Sequence, residues 1–173
     1  MKSSNLALDI GIGLFAGFAT TKVTEYAQQA LWKVTPGPVR QLENQLRPGP
    51  PFRVAAEKTS KLAGFDLDDK KLQAAGMAFH YASDIGWGPV YCLMRRSAGM
   101  ETLGAGVATG LSMSIILDEV VTPAFGFSAP NKEYPTVTHL RGLLGHLVYG
   151  LTLAGTAEAL YHLAGAHDAD RHH

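Results

Sequence analysis

Apolar residues in this chain come in long runs, and the charged residues crowd between the runs. Four stretches approach the roughly 20 largely apolar residues that cross a bilayer as a helix. They cover about 6–32, 72–94, 102–121 and 139–166, with the one substantial loop at 33–71. The first is the least apolar, because Asp9, Lys22 and Glu25 interrupt it. Between Leu72 and Met94, in contrast, the sole formal charge is Asp84. The pattern predicts an all-α protein: a single-domain membrane helical bundle of about four transmembrane helices.

Punctuation along the chain supports these limits. Pro36-Gly37-Pro38 ends the first run, since proline lacks the N–H and clashes with the preceding turn. Within the loop, Val39, Leu42 and Leu46 fall at helical spacing behind Pro38, which predicts a short amphipathic helix on the membrane surface. Pro48-Gly49-Pro50-Pro51 breaks it, and Val54, Ala55 and Leu62 predict a second short helix that Gly64 caps. Asp66 and Asp69 read as the N-cap and first turn of the second long helix. Arg95 to Glu101 makes a tight hairpin, and the stretch 122–138 joins the last two runs.

The first and third runs match each other. Gly11-x-Gly13-x3-Gly17 corresponds to Gly104-x-Gly106-x3-Gly110 at one constant offset, which also brings Glu25 onto Asp118. The second and fourth align through Gly76 with Gly142 and His80 with His146. Two duplicated hairpins would explain the correspondence, and such repeats are common in membrane folds. Gly13, Gly17, Gly106 and Gly110 are then expected to serve helix packing, because glycine lets backbones approach closely. A dinucleotide loop is a poor alternative, lacking both the preceding strand and the further glycine.

Composition changes the picture little. The 173 residues carry 15 basic and 15 acidic side chains, which gives no electrostatic footprint for nucleic acid. The single cysteine, Cys92, lies in an apolar run and reads as an inert buried thiol. Eleven of the 15 basic residues fall on the long-loop side, counting Lys22 to Lys71 with Lys132 and Arg141. Lys2, Arg95, Arg96 and Arg171 fall on the other, which favours a cytoplasmic loop. Arg95-Arg96 in its tight hairpin is the opposing local signal.

Several ionisable residues lie inside the runs, where they are costly and face the bundle interior. Counting along each helix, Glu25, Asp118 and Glu119 come late in odd runs. His80, Asp84, His139 and His146 come early in even ones. Successive helices alternate direction, so all seven belong to one layer near the long-loop face. Three uses compete. The groups pair with one another, His80 with Asp118 or Glu119 and His146 with Asp84; or they line a proton- or ion-conducting vestibule; or His80 and His146 ligate a metal or haem. Glu158 and His162 read as a local pair near the opposite end, and His167, His172 and His173 as a polar tail without function. No motif for a cofactor or an enzymatic triad is present, so neither a cofactor nor catalysis is expected.

The residues also carry a resemblance. Gly13-Leu-Phe-Ala-Gly17, Lys22-x-x-Glu25, Phe79-His80-Tyr81, Pro123-x-x-Gly126 and Gly145-His146-Leu147-Val148-Tyr149 look like the YagU-like family of small bacterial inner-membrane proteins. The likeness spans most of the chain outside 54–72. It departs at Gly49-Pro50-Pro51-Phe52-Arg53, where the family tends to a compact Pro-Pro-Arg. The resemblance implies a multi-pass location in the bacterial inner membrane and supplies no activity. Expected partners are the lipid bilayer and either further copies of the chain or a larger membrane complex. The leading functional expectation is a structural or accessory subunit. The alternatives are a small proton or ion transporter and, more weakly, a haem or metal protein.

Overall fold

The computed structural model describes residues 5–166, which are helices and connections with no strands. Lys2, Arg171 and the terminal histidines lie outside the described residues. Seven α-helices follow in order: α1 Leu6–Val34, α2 Gly37–Leu46, α3 Pro51–Leu62, α4 Asp69–Cys92, α5 Thr102–Met113, α6 Thr122–Ala124 and α7 Thr136–Leu163. The winding widens to π-helix over Leu93–Ser97 and again over Ser114–Val121, so α5 runs on through the second π segment into α6. Three helical stretches are long and apolar enough to cross a membrane: Leu6–Val34, Thr102–Ala124 and Thr136–Leu163. The second predicted run is helical as well, but His80, Asp84, Gln73 and its small residues make α4 less apolar than the others.

Local chemistry explains the helix ends. Asn5 caps α1 by accepting from the Leu8 N–H at 3.2 Å. Asp68, not Asp66, caps α4 by accepting from the Lys71 N–H at 2.9 Å. Gly64, Gly99 and Gly126 supply the positive φ values with which their helices end. Pro36, Pro50 and Pro135 occupy the N-cap positions of α2, α3 and α7.

Packing follows the glycines. A Cβ added at Gly13 would lie 2.5 Å from the Pro89 nitrogen, and one at Gly17 3.0 Å from the Ile85 backbone, so α1 lies directly on α4. In the same way Gly106 meets the Gly150 carbonyl at 2.8 Å and Gly110 the His146 carbonyl at 2.5 Å, which seats α5 on α7. Gly88 and Gly150 complete the two contacts from the opposite helices. The matched motifs therefore divide alike: the second and third glycines of each bury in a helix crossing, whereas Gly11 and Gly104 face open space. Alongside the crossings Ile12, Ala16, Ala105, Met113, Tyr149, Leu153, Ala157 and Tyr161 form the core.

The two short helices fold onto the bundle. Val54, Ala55 and Ala56 of α3 bury against α4, where Gly76 lets the Arg53 backbone approach to 3.0 Å of where its Cβ would be. On α2 the buried residue is Glu43, while Leu42 is exposed. The expected amphipathic pair on the membrane surface is thus, in part, a cover on the helices. Its polar face carries the reason, since Glu43 finds a partner on α7.

The surface inverts the usual arrangement. Leu6, Ile10, Leu14, Phe15 and Phe18 on α1 and Ile115, Ile116 and Val120 beyond α5 are exposed, while Asp9, Glu43, Asp84 and Arg141 are buried. Backbone contact at the crossings leads to a stability prediction. Gly88→Val and Gly150→Val should each cost about 3 kcal/mol or more, because backbone atoms rather than flexible side chains obstruct the added carbons. Gly11→Ala and Gly104→Ala should fall within about 0.5 kcal/mol of the parent. Thermal unfolding in detergent measures both; equal losses at all four positions would refute the packing role.

Candidate functional site

At the long-loop end the helices enclose a cavity of about 790 Å³. Its wall takes Glu25 from α1, His80 and Asp84 from α4, Asp118 and Glu119 from the π segment, and His139 and His146 from α7. The structure thus gathers all seven ionisable residues singled out above around one space. Aromatic rings complete the wall: Phe52 from α3, Phe79 from α4, Phe127 and Tyr134 from the 125–135 connection, and Tyr149 from α7.

Partners within the layer differ from those expected. His80 Nε2 lies 3.6 Å from Glu25 Oε1 and 3.8 Å from Asp84 Oδ2. His146 Nε2 lies 3.0 Å from Asp118 Oδ2, and His139 Nδ1 lies 2.7 Å from Glu119 Oε1. His80 therefore pairs with the acid of α1 and of its own helix rather than with Asp118 or Glu119, and His146 pairs with Asp118 rather than Asp84. Depth along a helix predicts the layer; rotation about its axis selects the partner. The glycine crossings set that rotation, turning α4 toward α1 and α7 toward α5.

The π winding matters here. Consecutive residues of a regular helix point far apart, yet Asp118 and Glu119 both reach the cavity wall. Wider turns close the angle between neighbours, and π segments recur at functional positions for that reason. Thr122 reinforces the distortion by donating to the carbonyls of both Leu117 and Asp118. Glu119 is held by Asn131, whose side chain donates to its carboxylate at 2.8 Å. His139 Nε2 faces the Asn131 carbonyl at 3.2 Å. Both His139 ring nitrogens thus face oxygen acceptors, an arrangement that the doubly protonated imidazolium fills completely.

Two clusters escaped the sequence reading. Glu43 of α2 is 0% exposed and sits at the cavity's edge, where Arg141 grips it in a two-pronged bond. Arg141 Nη1 donates to Oε1 at 2.8 Å and Nη2 to Oε2 at 2.6 Å. Arg47 adds a bond to Oε2 at 2.8 Å and Thr138 one to Oε1 at 2.8 Å. Trp32 lies beneath both cations, 4.8 Å from Arg141 and 5.4 Å from Arg47. Burial alone would push the Glu43 carboxyl up, but the bonds from Arg141 and Thr138 and the charges of Arg141 and Arg47 outweigh it and hold it below the usual 4.5. A signal existed: Glu43 shares a helical face with Val39 and Leu46, an acid where the stripe should be apolar.

At the opposite end Asp9 is 4% exposed. It accepts from the Tyr161 hydroxyl at 2.9 Å and pairs with Arg96 at 3.5 Å. Arg95 bonds Glu158 at 2.9 Å, and Tyr91 donates to the same carboxylate at 3.1 Å. Glu158 is therefore joined across the hairpin to Arg95, a contact that proximity in sequence to His162 did not suggest.

Among the described residues no three His, Cys, Asp or Glu side chains are grouped to hold a metal ion. His80 and His146 face different carboxylates instead of a common centre. Cys92 is buried. No family model matches the chain, and neither the curated proteins nor the solved structures contain a match.

The Glu43 clamp yields the second prediction. Arg141→Met leaves a buried carboxylate with Arg47 as its remaining ion partner and should cost about 3–5 kcal/mol, while Glu43→Leu with Arg141→Met together should recover much of that loss. Because the folded Glu43 titrates below its unfolded value, its contribution is complete above about pH 5 and disappears as pH falls through the lowered folded value. Unfolding of parent and Glu43→Gln at pH 7 and pH 3 reads this. A parent–variant difference that does not shrink at the lower pH would contradict the assignment.

Proposed function

We propose that this chain is a multi-pass protein of the bacterial inner membrane, not an enzyme, and that it carries protons or small ions through its polar cavity. The observation that supports the reading is the gathering of seven ionisable residues from four helical segments around one space of about 790 Å³. Ionisable groups in apolar helices are expensive, and they mark ion and proton pathways when they line a cavity. Groups retained only to hold helix register would close on one another and leave no such volume.

The membrane setting draws on three apolar helices, the exposed leucines and phenylalanines, and the buried acids. With α4 as the fourth crossing, α1–α4 and α5–α7 become two hairpins running the same way. Glu25–His80 and Asp118–His146 are then corresponding pairs of a duplication. The distribution of basic residues supports a cytoplasmic long loop. Arg95 and Arg96, the opposing signal, are bonded inside the bundle to Glu158 and Asp9.

The cavity opens at one end. Beyond Tyr149 and Met113, both under 2% exposed, lies packed core, and beyond that the Asp9 and Glu158 clusters. A dead-ended vestibule suits a carrier in one of its alternating states better than an open channel. The second reading, a structural or accessory subunit, draws on the outward-facing Gly11, Gly86, Gly104 and Gly155, beside which nothing lies within 4 Å. Such positions offer close approach to another helix, whether from a further copy or a larger complex.

Proton flux in proteoliposomes separates the two. Transport predicts flux in the parent and at least a tenfold loss in His80→Ala, Asp118→Asn and His146→Ala. No flux in the parent, or the same flux in all three variants, favours the accessory role.

A further inference from the structure

The wall of the cavity has a chemical bias that bare ion passage does not require. With its histidines neutral, Arg47 and Arg141 on the wall stand against Glu25, Asp84, Asp118 and Glu119, and Lys22 and Glu43 beside the wall cancel, leaving two uncompensated negative charges. A second proton on His139 reduces the excess to one, so the space remains electronegative. Both arginines are already bonded to Glu43, which leaves little cationic capacity for an anion.

The deepest acid carries most of the argument. Asp84 has a side chain only 8% exposed; Thr21 bonds its carboxylate, but its ion-pair partner His80 stands 3.8 Å away, too far for a strong bond. Buried carboxylates without a close cation are costly. Tyr149 donates to the Asp84 carbonyl and so fixes the backbone behind the carboxylate. His80 and His146 both lie within electrostatic reach of that carboxylate. Each of these rings also has a buried Nδ1 with no hydrogen-bond partner.

The volume decides the size of the guest. About 790 Å³ falls within the 300–1,000 Å³ typical of small-molecule pockets and far exceeds the space around a desolvated metal ion. Phe52, Phe79 and Phe127 supply apolar and π surface on the same wall, and Phe52 packs tilted against the His80 ring at 5.0 Å. Carboxylates and aromatic faces together recognise a cation with N–H donors and an apolar body.

We propose that the cavity is a binding site for an organic ammonium ion, its nitrogen held by the Asp84 carboxylate and its apolar part lying against Phe52, Phe79 and Phe127. The proposal names a cargo for the transport reading and rests on it only for the route by which the ligand leaves. Binding itself is independent of passage.

Calorimetric titration of the purified full-length protein in detergent tests it with three probes: phenethylammonium, the neutral 2-phenylethanol, and potassium chloride. Saturable binding of phenethylammonium is expected, at least tenfold tighter than 2-phenylethanol, with no heat of binding from potassium. Asp84→Asn should weaken phenethylammonium at least tenfold. Asp118→Asn, on a different helix, should weaken it severalfold and serves if Asp84→Asn fails to fold. Absence of saturation, equal binding of the alcohol, or parent affinity in the folded variant would overturn the site. Ammonium binding without flux in liposomes would end the transport reading and leave the site standing; proton flux without ammonium binding would do the reverse.

Discussion

Two places where helix backbones touch without intervening side chains govern this structure. At Gly13 against Gly88 and at Gly106 against Gly150, any larger residue would drive a carbon into the facing backbone. Such contacts bring the rods close enough for dispersion to act between main chains, the chief attraction available where no hydrophobic drive separates helix from surroundings. They also fix rotation. Once α4 is seated on α1 by glycine, His80 must look toward Glu25; once α7 is seated on α5, His146 must look toward Asp118. The crossings lie between the Asp9 and Glu158 clusters and the polar cavity.

Charge placement follows the same inversion as packing. Phe15 and Phe18 are exposed while Asp9, Glu43 and Arg141 are hidden. In water this would sacrifice apolar burial and impose desolvation at once. With hydrocarbon outside, the exposed faces cost nothing, and every buried charge must find a partner within the chain. Most do. Glu43 has four donors, Asp9 has Tyr161 and Arg96, and Glu158 has Arg95 and Tyr91. Among the described residues four buried side-chain atoms lack a hydrogen-bond partner: Nδ1 of His80 and of His146 beside the cavity, and Thr20 Oγ1 and Arg40 Nε away from it.

Much of this was legible in the sequence, because depth along a helix is a matter of counting. The runs, the breaks at Pro36 and Pro48, and the common layer of Glu25, His80, Asp84, Asp118, Glu119, His139 and His146 all follow from spacing. Azimuth does not. Partners depend on which glycine meets which backbone, so the expected His80–Asp118 and His146–Asp84 pairs gave way to others. The π winding at Ser114–Val121 was hidden for a related reason: nothing in a run such as Ile115-Ile116-Leu117 announces a wider turn. Glu43–Arg141 joins residues far apart in the chain, and Arg141 reads from sequence alone as one more loop-side cation.

The two ends of the bundle are built unequally from similar materials, and the inequality bears on mechanism. At the hairpin end Asp9, Arg96, Tyr161, Arg95 and Glu158 bond tightly across helices, with distances of 2.9–3.5 Å among the principal contacts. At the loop end Glu43 is gripped by Arg141 and Arg47, while the acids on the cavity wall face histidines across 2.7–3.8 Å. Arginine stays charged at any accessible pH, so the first network is a permanent seal unless its helices part. The acids of the wall border an open volume, so the second set has room to alter its pairing without any helix moving. A protein that admits a cation from one side and releases it on the other needs one end that responds to protons and another that opens only with a change of packing. The arginine network at the hairpin end suits the second of these roles, and the glycine crossings between the ends are where such a change of packing would pivot.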